Sequence, residues 1–359
     1  MESVVRSTRI SRRGLLKGAG ATVGGAAIIG TVGRLTAAAH EADASATPQL
    51  SGKITLYNGQ HESTTTPIVE AFQKATGVQV EVRNGESDQF ANQIKEEGSR
   101  SPADVFYSEE AAPMNFLAEQ GLLATVPADV LSQIPNQYNG KDGVWLGVSA
   151  RARVVVYDPA QITEAELPAS IFDFTNDFWK GKVGFVPTSG AFREQIAAII
   201  ALDGKDRAKD WLSGLKRNGK VYRRNGDVLD AVERGQLASG LINHYYWFGE
   251  AAEVGADKMH SKLYYIGNHD PGALVNVSPA AILKSSKKQD LAAAFLNFMV
   301  SEAGQTVLAK VSTEYPLRPG VQSSAPLKPL DELEQAKITA ADIGDGQDAL
   351  ELEQDLDLL

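Results

Sequence analysis

Strand-like and helix-like segments alternate along the chain from residue 54 onward, and this alternation limits the possible folds more than any other feature. Segment 54–57 is short and β-rich, a helical pattern follows over 66–75, and 78–82 predicts the next strand. Strands that alternate with helices in this order form parallel sheets with crossover helices. The first part of the chain therefore predicts an α/β lobe.

The pattern changes near residue 144 and then resumes as a second series. Segments 144–148 and 153–157 are both strand-like, and residues 149–152 predict a break between them. Further strands are predicted at 183–187, 220–222, 239–243 and 274–283, and helices at 192–202, 207–217, 228–234, 289–300 and 302–309. We therefore expect two α/β lobes, joined by two strands that cross between them near 148–154 and 272–278.

The end of the chain is strongly acidic. From Asp331 onward it holds ten acidic residues and one lysine. Leu352, Leu356 and Leu359 have helical spacing, which predicts a docked helix with a solvated acidic face and no ligand role.

Residues 1–44 have the composition of an export signal. Arg12 and Arg13 precede an apolar run rich in Gly and Ala, and small residues near Ala39 and Ala44 offer cleavage sites. An arginine pair before a glycine-diluted run is typical of the twin-arginine route for proteins that fold before export. A membrane anchor is the alternative, which the short, glycine-interrupted run disfavours. We expect an exported protein, in the periplasm or cell-envelope space, from which residues 1–44 have been removed.

Cysteine content and charge exclude several kinds of site. The chain has no cysteine, which excludes disulfides, thiolate zinc sites, iron–sulfur clusters and cysteine nucleophiles. Its net charge is −10, and because residues 1–44 hold six basic and three acidic groups, the remainder carries −13. Such an acidic chain argues against a nucleic-acid partner, which needs a basic face.

In the first lobe, two segments that follow predicted strands carry candidate binding side chains. His61 lies just past the first strand, and Glu109 and Glu110 lie just past the strand at 104–107. Ligands of α/β folds bind at the carboxyl ends of parallel strands. Each residue also has an ordinary explanation, because helix starts favour capping and acidic side chains.

The second lobe offers two more candidate segments. Ser189, Gly190 and Ala191 lie between a strand and a helix, where free amides form an anion seat, although many helix starts look alike. Tyr245 and Tyr246 follow the strand at 239–243. Adjacent tyrosines point to opposite faces of a strand, but a strand-to-helix turn can direct both phenols into one cleft. Ordinary core or surface positions are the alternative.

If the four segments converge between the lobes, they supply one imidazole nitrogen and three potentially anionic oxygens. Such hard, negatively charged donors match Fe³⁺ better than zinc or calcium. A free phenol has a pKa of about 10, so two phenolates at neutral pH require a strong Lewis acid, and metal uptake should release protons. The sequence contains no Gly-x-Ser-x-Gly, P-loop or His-Glu-x-x-His motif that would indicate a familiar enzyme.

Five motifs carry a resemblance to a known family: Tyr57-Asn58-Gly59-Gln60-His61, Ala103-Asp104-Val105-Phe106-Tyr107-Ser108-Glu109, Thr188-Ser189-Gly190-Ala191-Phe192, Ile242-Asn243-His244-Tyr245-Tyr246-Trp247 and Asp270-Pro271-Gly272-Ala273-Leu274-Val275. They resemble the periplasmic ferric-ion-binding proteins, the iron(III) substrate-binding components of ABC transporters, over about residues 52–359. The resemblance implies the class II periplasmic-binding-protein fold, a bilobal α/β clamp. The lobes would be 51–150 with 276–326, and 151–275 with 327–359.

The resemblance also implies a ligand set and partners. The Fe³⁺ ligands would be His61, Glu109, Tyr245 and Tyr246. An exogenous anion such as phosphate or carbonate, or water, would complete the coordination. The anion contacts would be Ser189, Gly190, Ala191, Asn225 and Asn243. The protein would be a monomer without catalytic residues that docks on an ABC transporter permease.

Two positions depart from the family pattern. Glu110 stands where phosphate-binding members have Gln, and a carboxylate there would repel a phosphate dianion unless it is protonated or turned away. The identity of the anion therefore stays open. His244 replaces an expected Asn and is either a spare ligand or a bystander.

Two other functions remain as alternatives. The same clamp could bind another small solute, such as a polyamine, thiamine or an organophosphonate. A secreted metalloenzyme would need a general acid or base beside an open metal position, and Glu110 is the candidate for that role.

Overall fold

The structure is a computed structural model that describes residues 50–359, so the predicted export signal at 1–44 lies outside the described residues. The strands are β1 Lys53–Asn58, β2 Gln79–Asn84, β3 Val105–Tyr107, β4 Leu146–Tyr157, β5 Val183–Phe185, β6 Lys220–Val221, β7 Ser239–Asn243, β8 Lys262–Tyr264, β9 Val275–Ile282 and β10 Tyr315–Pro316. The α-helices are α1 Glu62–Thr76, α2 Ser87–Glu97, α3 Ala111–Glu119, α4 Ala128–Leu131, α5 Gly190–Asp203, α6 Lys205–Asn218, α7 Asn225–Glu233, α8 His244–Val254, α9 Gln289–Val300, α10 Glu302–Val311 and α11 Gln347–Asp355.

The strands form a mixed sheet whose order is β2-β1-β3-β9-β4-β7-β5-β6, with β8 and β10 paired to β4. β1 pairs in parallel with β2 and β3, and β5 pairs in parallel with β6 and β7. β9 runs antiparallel to both β3 and β4 and so lies between the two parallel groups. The predicted pair of α/β series is confirmed, and β4 and β9 connect them.

β4 is one continuous strand of 12 residues, all of them buried, so the predicted break at 149–152 is wrong. The polar side chains in this stretch find partners inside the protein. Ser149 donates a hydrogen bond to Glu314, and Arg151 donates one to Ser278. Because both side chains have buried partners, the backbone stays in the sheet where the residue types alone suggest a turn.

The apolar side chains form distinct cores on the two halves of the sheet. The first core includes Leu56, Phe106 and Phe295. The second core includes Phe185 and Trp211. A smaller third core covers another part of β4 and β7 and includes Val156, Val228 and Ile242.

β4 passes from one core to the next along its length. Ala150 and Ala152 belong to the first core, whereas Val155 and Tyr157 belong to the second. The change occurs within three residues, which places the connection between the two halves in the middle of a fully paired strand.

The acidic tail docks on the protein through α11, as its leucine spacing predicts. Leu352 is buried in the second core, whereas Leu359 lies beyond the helix and is 53% exposed. Leu333 and Ala340, earlier in the tail, are buried in the first core. The tail therefore contacts both cores.

Helices α9 and α10 cover the first core, with Phe295, Met299 and Leu308 fully buried. Among residues 50–359 no single helix has the length and apolar composition needed to cross a membrane, although α9 and α10, bent by 59°, meet those criteria as a pair.

Candidate metal centre

The four predicted metal ligands lie at strand-to-helix transitions. His61 is the N-cap residue of α1, just after β1, and Glu109 lies between β3 and α3. Tyr245 and Tyr246 fall in the first turn of α8, which begins immediately after β7. A helical start rather than a continued strand lets two consecutive tyrosines project to the same side.

Three of these side chains converge at one point. Nε2 of His61 lies 3.3 Å from the phenol oxygen of Tyr245 and 3.5 Å from Oε1 of Glu109. The Tyr245 phenol donates a hydrogen bond of 3.2 Å to that same Oε1. Nowhere in the described chain do three or more His, Cys, Asp or Glu side chains form a group that could hold a metal. The phenol is thus what completes this cluster.

Tyr246 adjoins the cluster and turns toward the predicted anion seat. Its ring lies 4.3 Å from that of Tyr245, measured between centroids. Nδ2 of Asn225 donates to the Tyr246 phenol oxygen at 3.3 Å and lies 3.2 Å from Oγ of Ser189. Tyr246 therefore lies between the other three ligand candidates and the start of α5.

Burial controls the protonation of both phenols. It raises the pKa of Tyr245 well above its ordinary value of 10, and the negative charge of Glu109 raises it further. Burial is also the main cause of the raised pKa of Tyr246. Without a cation the two side chains are neutral phenols, so a bound cation has to displace their protons.

Arg151 lies behind the cluster and was not predicted as a site residue. It is fully buried, it donates to the backbone carbonyl of Glu109, and its Nη2 lies 4.0 Å from Oε1 of that residue. Burial alone would lower the pKa of Arg151, but the carboxylates of Glu109 and Glu314 raise it above its ordinary value. Arg151 therefore remains a cation that holds Glu109 in place.

Arg153, two residues farther along β4, supports the second half of the site. Its Nη1 donates to Oδ1 of Asn243 at 2.8 Å, and burial lowers its pKa to about 10. The sequence did offer a signal for Arg151 and Arg153, since they occupy alternate positions of an otherwise apolar strand. Arginine side chains are buried only when they have partners, so this pattern indicates buried polar partners nearby.

The predicted anion seat, Ser189 with Gly190 and Ala191, forms the start of α5. Ser189 and Gly190 line a cavity of about 800 Å³, together with His61, Glu109, Glu110, Asn225 and Tyr246. Asn243 is buried beside β4, and its Nδ2 has no hydrogen-bond partner within residues 50–359. The structure thus brings most of the predicted anion contacts to the same cavity as the ligand candidates.

Glu110 points into this cavity. The residue is 8% exposed, and its Oε1 lies 3.8 Å from Nη2 of Arg151. Burial raises the pKa of Glu110 well above its ordinary value, and the charge of Glu109 adds to the effect. Its carboxylate faces Gly190, since an ideal Cβ built on Gly190 would lie 2.6 Å from Cδ of Glu110.

His244 is fully buried, and both of its ring nitrogens are used. The amide of Ala152 donates to Nδ1 at 3.1 Å, so Nε2 carries the hydrogen and donates to the carbonyl oxygen of Thr313 at 2.9 Å. Burial lowers the pKa of His244 to about 3. With no nitrogen left for a metal, His244 acts as a structural bystander.

Comparisons with known proteins point to one family. The sequence profile of the bacterial extracellular solute-binding proteins matches residues 67–335. The major ferric iron-binding protein of Neisseria meningitidis serogroup B is 43% identical over 314 residues, covering 86% of this chain and 93% of that protein. The Fe(3+)-binding periplasmic protein of Serratia marcescens is 38% identical over 291 residues, covering 81% and 86%.

Solved structures agree with the sequence comparison. Iron-bound HitA from Pseudomonas aeruginosa superposes with a TM-score of 0.81 at 49% identity, covering 85% of this chain and 99% of that one. The apo ferric ion-binding protein A of Pasteurella haemolytica gives a TM-score of 0.76 at 25% identity.

Proposed function

This chain belongs to the periplasmic ferric-ion-binding proteins of the bacterial extracellular solute-binding family, and from that premise we propose that it captures one Fe³⁺ ion for an ABC transporter. The fold is the bilobal α/β clamp of that family. The protein is a transport binder rather than an enzyme.

The convergence of His61, Glu109 and Tyr245 within 3.5 Å supports this proposal most directly. With the adjacent Tyr246 they offer one neutral nitrogen and three oxygens whose charges balance Fe³⁺ once both phenols lose their protons. The ligands come from segments packed in different cores, so bound iron would favour the closed clamp over the open one by differential affinity.

The lobes that close on the metal are residues 51–150 with 276–326, and residues 151–275 with 327–359. The crossing of β4 from the first to the second core between Ala152 and Val155 supports the first boundary. The remaining coordination positions go to water or to an exogenous anion such as phosphate or carbonate. Anion contacts would come from the α5 start and neighbouring amides: Ser189, Gly190, Ala191, Asn225 and Asn243.

Elemental analysis with a visible spectrum, on protein isolated from its native cell envelope, tests the function. We expect one iron per chain and a visible phenolate-to-iron charge-transfer band. Iron added to stripped protein should restore both. A protein that stays colourless after iron loading would contradict the ferric proposal.

Export proceeds by the twin-arginine route, since Arg12 and Arg13 precede the glycine-rich run of the leader. Replacing both by Lys keeps the charge and should leave an unprocessed precursor in the cytoplasm. The matched control changes Arg6 and Arg9 to Lys, which should leave export intact. Equal export of both double variants would rule the route out. Outside the cytoplasm the protein works as a monomer that docks on the permease.

The alternatives are less favoured. The relatives from Neisseria meningitidis and Serratia marcescens, which each cover more than four-fifths of this chain, are named for ferric iron and not for a polyamine, thiamine or an organophosphonate. A metalloenzyme is disfavoured because the matched family consists of solute-binding proteins.

A further inference from the structure

Ser278 lies in β9, one of the two strands that connect the halves of the molecule, and its hydroxyl group makes three hydrogen bonds. The side chain is fully buried. Its Oγ accepts hydrogen bonds from Nε2 of Gln60, at 2.8 Å, and from Nη1 of Arg151. The hydroxyl donates the third bond to the backbone carbonyl of Glu109, at 3.0 Å. A hydroxyl has one donor and two acceptor sites, so none of them is left unused.

The bond from Gln60 connects Ser278 to the first ligand candidate, His61. Gln60 is buried, and its Oε1 accepts a 2.7 Å hydrogen bond from the backbone amide of His61. Nε2 of the same side chain donates to Ser278 and, at the longer distance of 3.4 Å, to Glu314. The side-chain amide of Gln60 therefore joins the backbone of His61 to a strand residue that is 218 positions away from Gln60 in the sequence.

This backbone connection matters because the ring of His61 has few other contacts that hold it. The side chain is 43% exposed. Within residues 50–359 only Nε2 of the ring has polar partners, and that nitrogen faces the metal centre. Metal-binding histidines are usually oriented by a hydrogen bond from their second ring nitrogen. Since Nδ1 of His61 makes no such bond in the described part of the chain, the place of the ring depends on its backbone.

The same hydroxyl group also contacts the second ligand candidate of the first half. The carbonyl oxygen of Glu109 accepts hydrogen bonds from Ser278 in β9 and from Arg151 in β4. The two strands pair with each other through this region. Tyr245 has a separate support, because its backbone carbonyl accepts a 3.2 Å bond from Oγ1 of Thr313. Ser278 is thus shared by the ligand candidates of one half only.

We propose that Ser278 is a positioning residue for Fe³⁺ capture, whose single hydroxyl group sets the places of His61 and Glu109 together. This role rests on the proposed function and deepens it, because it assigns the support of two ligands to one residue of a connecting strand. Without the hydroxyl, the donors of Gln60 and Arg151 lose a buried acceptor, and both ligand segments can shift. The tyrosines keep their own supports, so iron should still bind the phenolates while it engages the imidazole and the carboxylate less well.

The test compares wild type with Ser278→Ala, which deletes the hydroxyl, and with Ser278→Thr, which retains it. Ser239→Ala is the matched control, since Ser239 is also fully buried in a strand and donates a hydrogen bond, to the carbonyl of Lys182. Stripped protein is loaded with iron from ferric nitrilotriacetate. Chelator competition gives the affinity, the visible spectrum gives the position of the phenolate-to-iron band, and denaturant titration of the stripped protein gives the stability.

Ser278→Ala should bind iron roughly ten- to a hundredfold more weakly than wild type. Its charge-transfer band should remain but move to longer wavelength, because iron that has lost imidazole or carboxylate donation is a stronger Lewis acid. Ser278→Thr should restore most of the affinity and the position of the band. Ser239→Ala should lower the stability and change neither of these two properties.

An unchanged affinity and band in Ser278→Ala would overturn this role and leave the ferric function intact. An equal loss of affinity in Ser239→Ala would also overturn it, because the effect would then follow general stability. If Ser278→Ala does not fold, Gln60→Met takes its place, since it breaks only the connection to His61 and should change affinity and band in the same directions. Wild-type behaviour of Gln60→Met would overturn the role as well. A wild type that stays colourless after iron loading would instead refute the proposed function.

Discussion

The carboxylate of Glu194 accepts a 3.2 Å hydrogen bond from the backbone amide of Ala112 and thereby joins α5, in the second core, to α3, in the first. Its other oxygen accepts from Nδ2 of Asn276 in β9. Both donors are buried, so without this carboxylate they would have no acceptor in place of the water that hydrates them in the unfolded chain.

Glu194→Ala should therefore weaken iron binding by disfavouring closure. Unsatisfied buried amides cost about 1–3 kcal/mol each, and the expected loss of affinity is roughly ten- to a hundredfold. Chelator competition measures it. Glu194→Gln retains an acceptor oxygen and should recover most of the affinity. Equal affinities for the wild type and the Ala variant would show that this contact does not bear on closure.

Tyr245→Phe and Tyr246→Phe should each remove most of the visible absorbance of the iron-loaded protein, because each deletes one phenolate donor. We expect each change to weaken iron binding by roughly a hundredfold or more, or about 3 kcal/mol. Tyr264→Phe, in β8 and outside the centre, is the control and should change neither property. If either variant at the centre retains the full colour, that phenol is not a ligand.

Iron uptake should release protons, because burial and Glu109 raise the pKa of Tyr245 and burial raises that of Tyr246. Both phenols are then protonated before loading at neutral pH. Affinity should rise with pH, by about two logarithmic units per pH unit for two displaced protons, and fall on acidification. Calorimetry in buffers of different ionisation enthalpy counts the protons. Tyr246→Phe should release one fewer, and an unchanged count would contradict the assignment.

The buried carboxyl group of Glu353 should make the stability of the protein depend on pH. Its side chain is fully buried against Arg193 at 2.8 Å, and burial raises its pKa from 4.5 to about 7. A raised carboxyl pKa means that the folded state holds the proton more tightly, so stability falls as pH rises from 4.5 through 7. Relative to wild type, Glu353→Gln should gain up to about 3 kcal/mol in unfolding free energy over this range. Denaturant titrations of both proteins at pH 4 and pH 8 measure this gain. If the unfolding free energies of variant and wild type differ by the same amount at both pH values, the prediction is wrong.

The order of elements was predictable because strand and helix periods are local properties. Helix α9 and strand β7 lie at their predicted bounds. Helix α1 starts at Glu62, four residues before the predicted 66, since the amides of Thr64 and Thr65 bond to the carbonyl of His61 despite the low helix propensity of threonine.

The features that sequence missed depend on distant partners. The continuity of β4 requires Glu314 to accept from Ser149, 165 residues away. The cross-core role of Glu194 and the support of Glu109 by Arg151 likewise exist only after folding. The sequence could predict which side chains after strands are candidate ligands. It could not predict the buried charged residues that hold those side chains in position.

The acidic tail adds a third tie between the halves, because Leu333 is buried in the first core and Leu352 in the second. The two halves are linked by β4, β9 and the acidic tail, and these three connections restrain twisting of one half against the other. Bending about the two strands is then the easiest relative movement. An ion held between the halves would then be released by a hinge-bending opening. Cleaving the chain within the acidic tail should make that opening easier, although the tail supplies none of the ligand candidates.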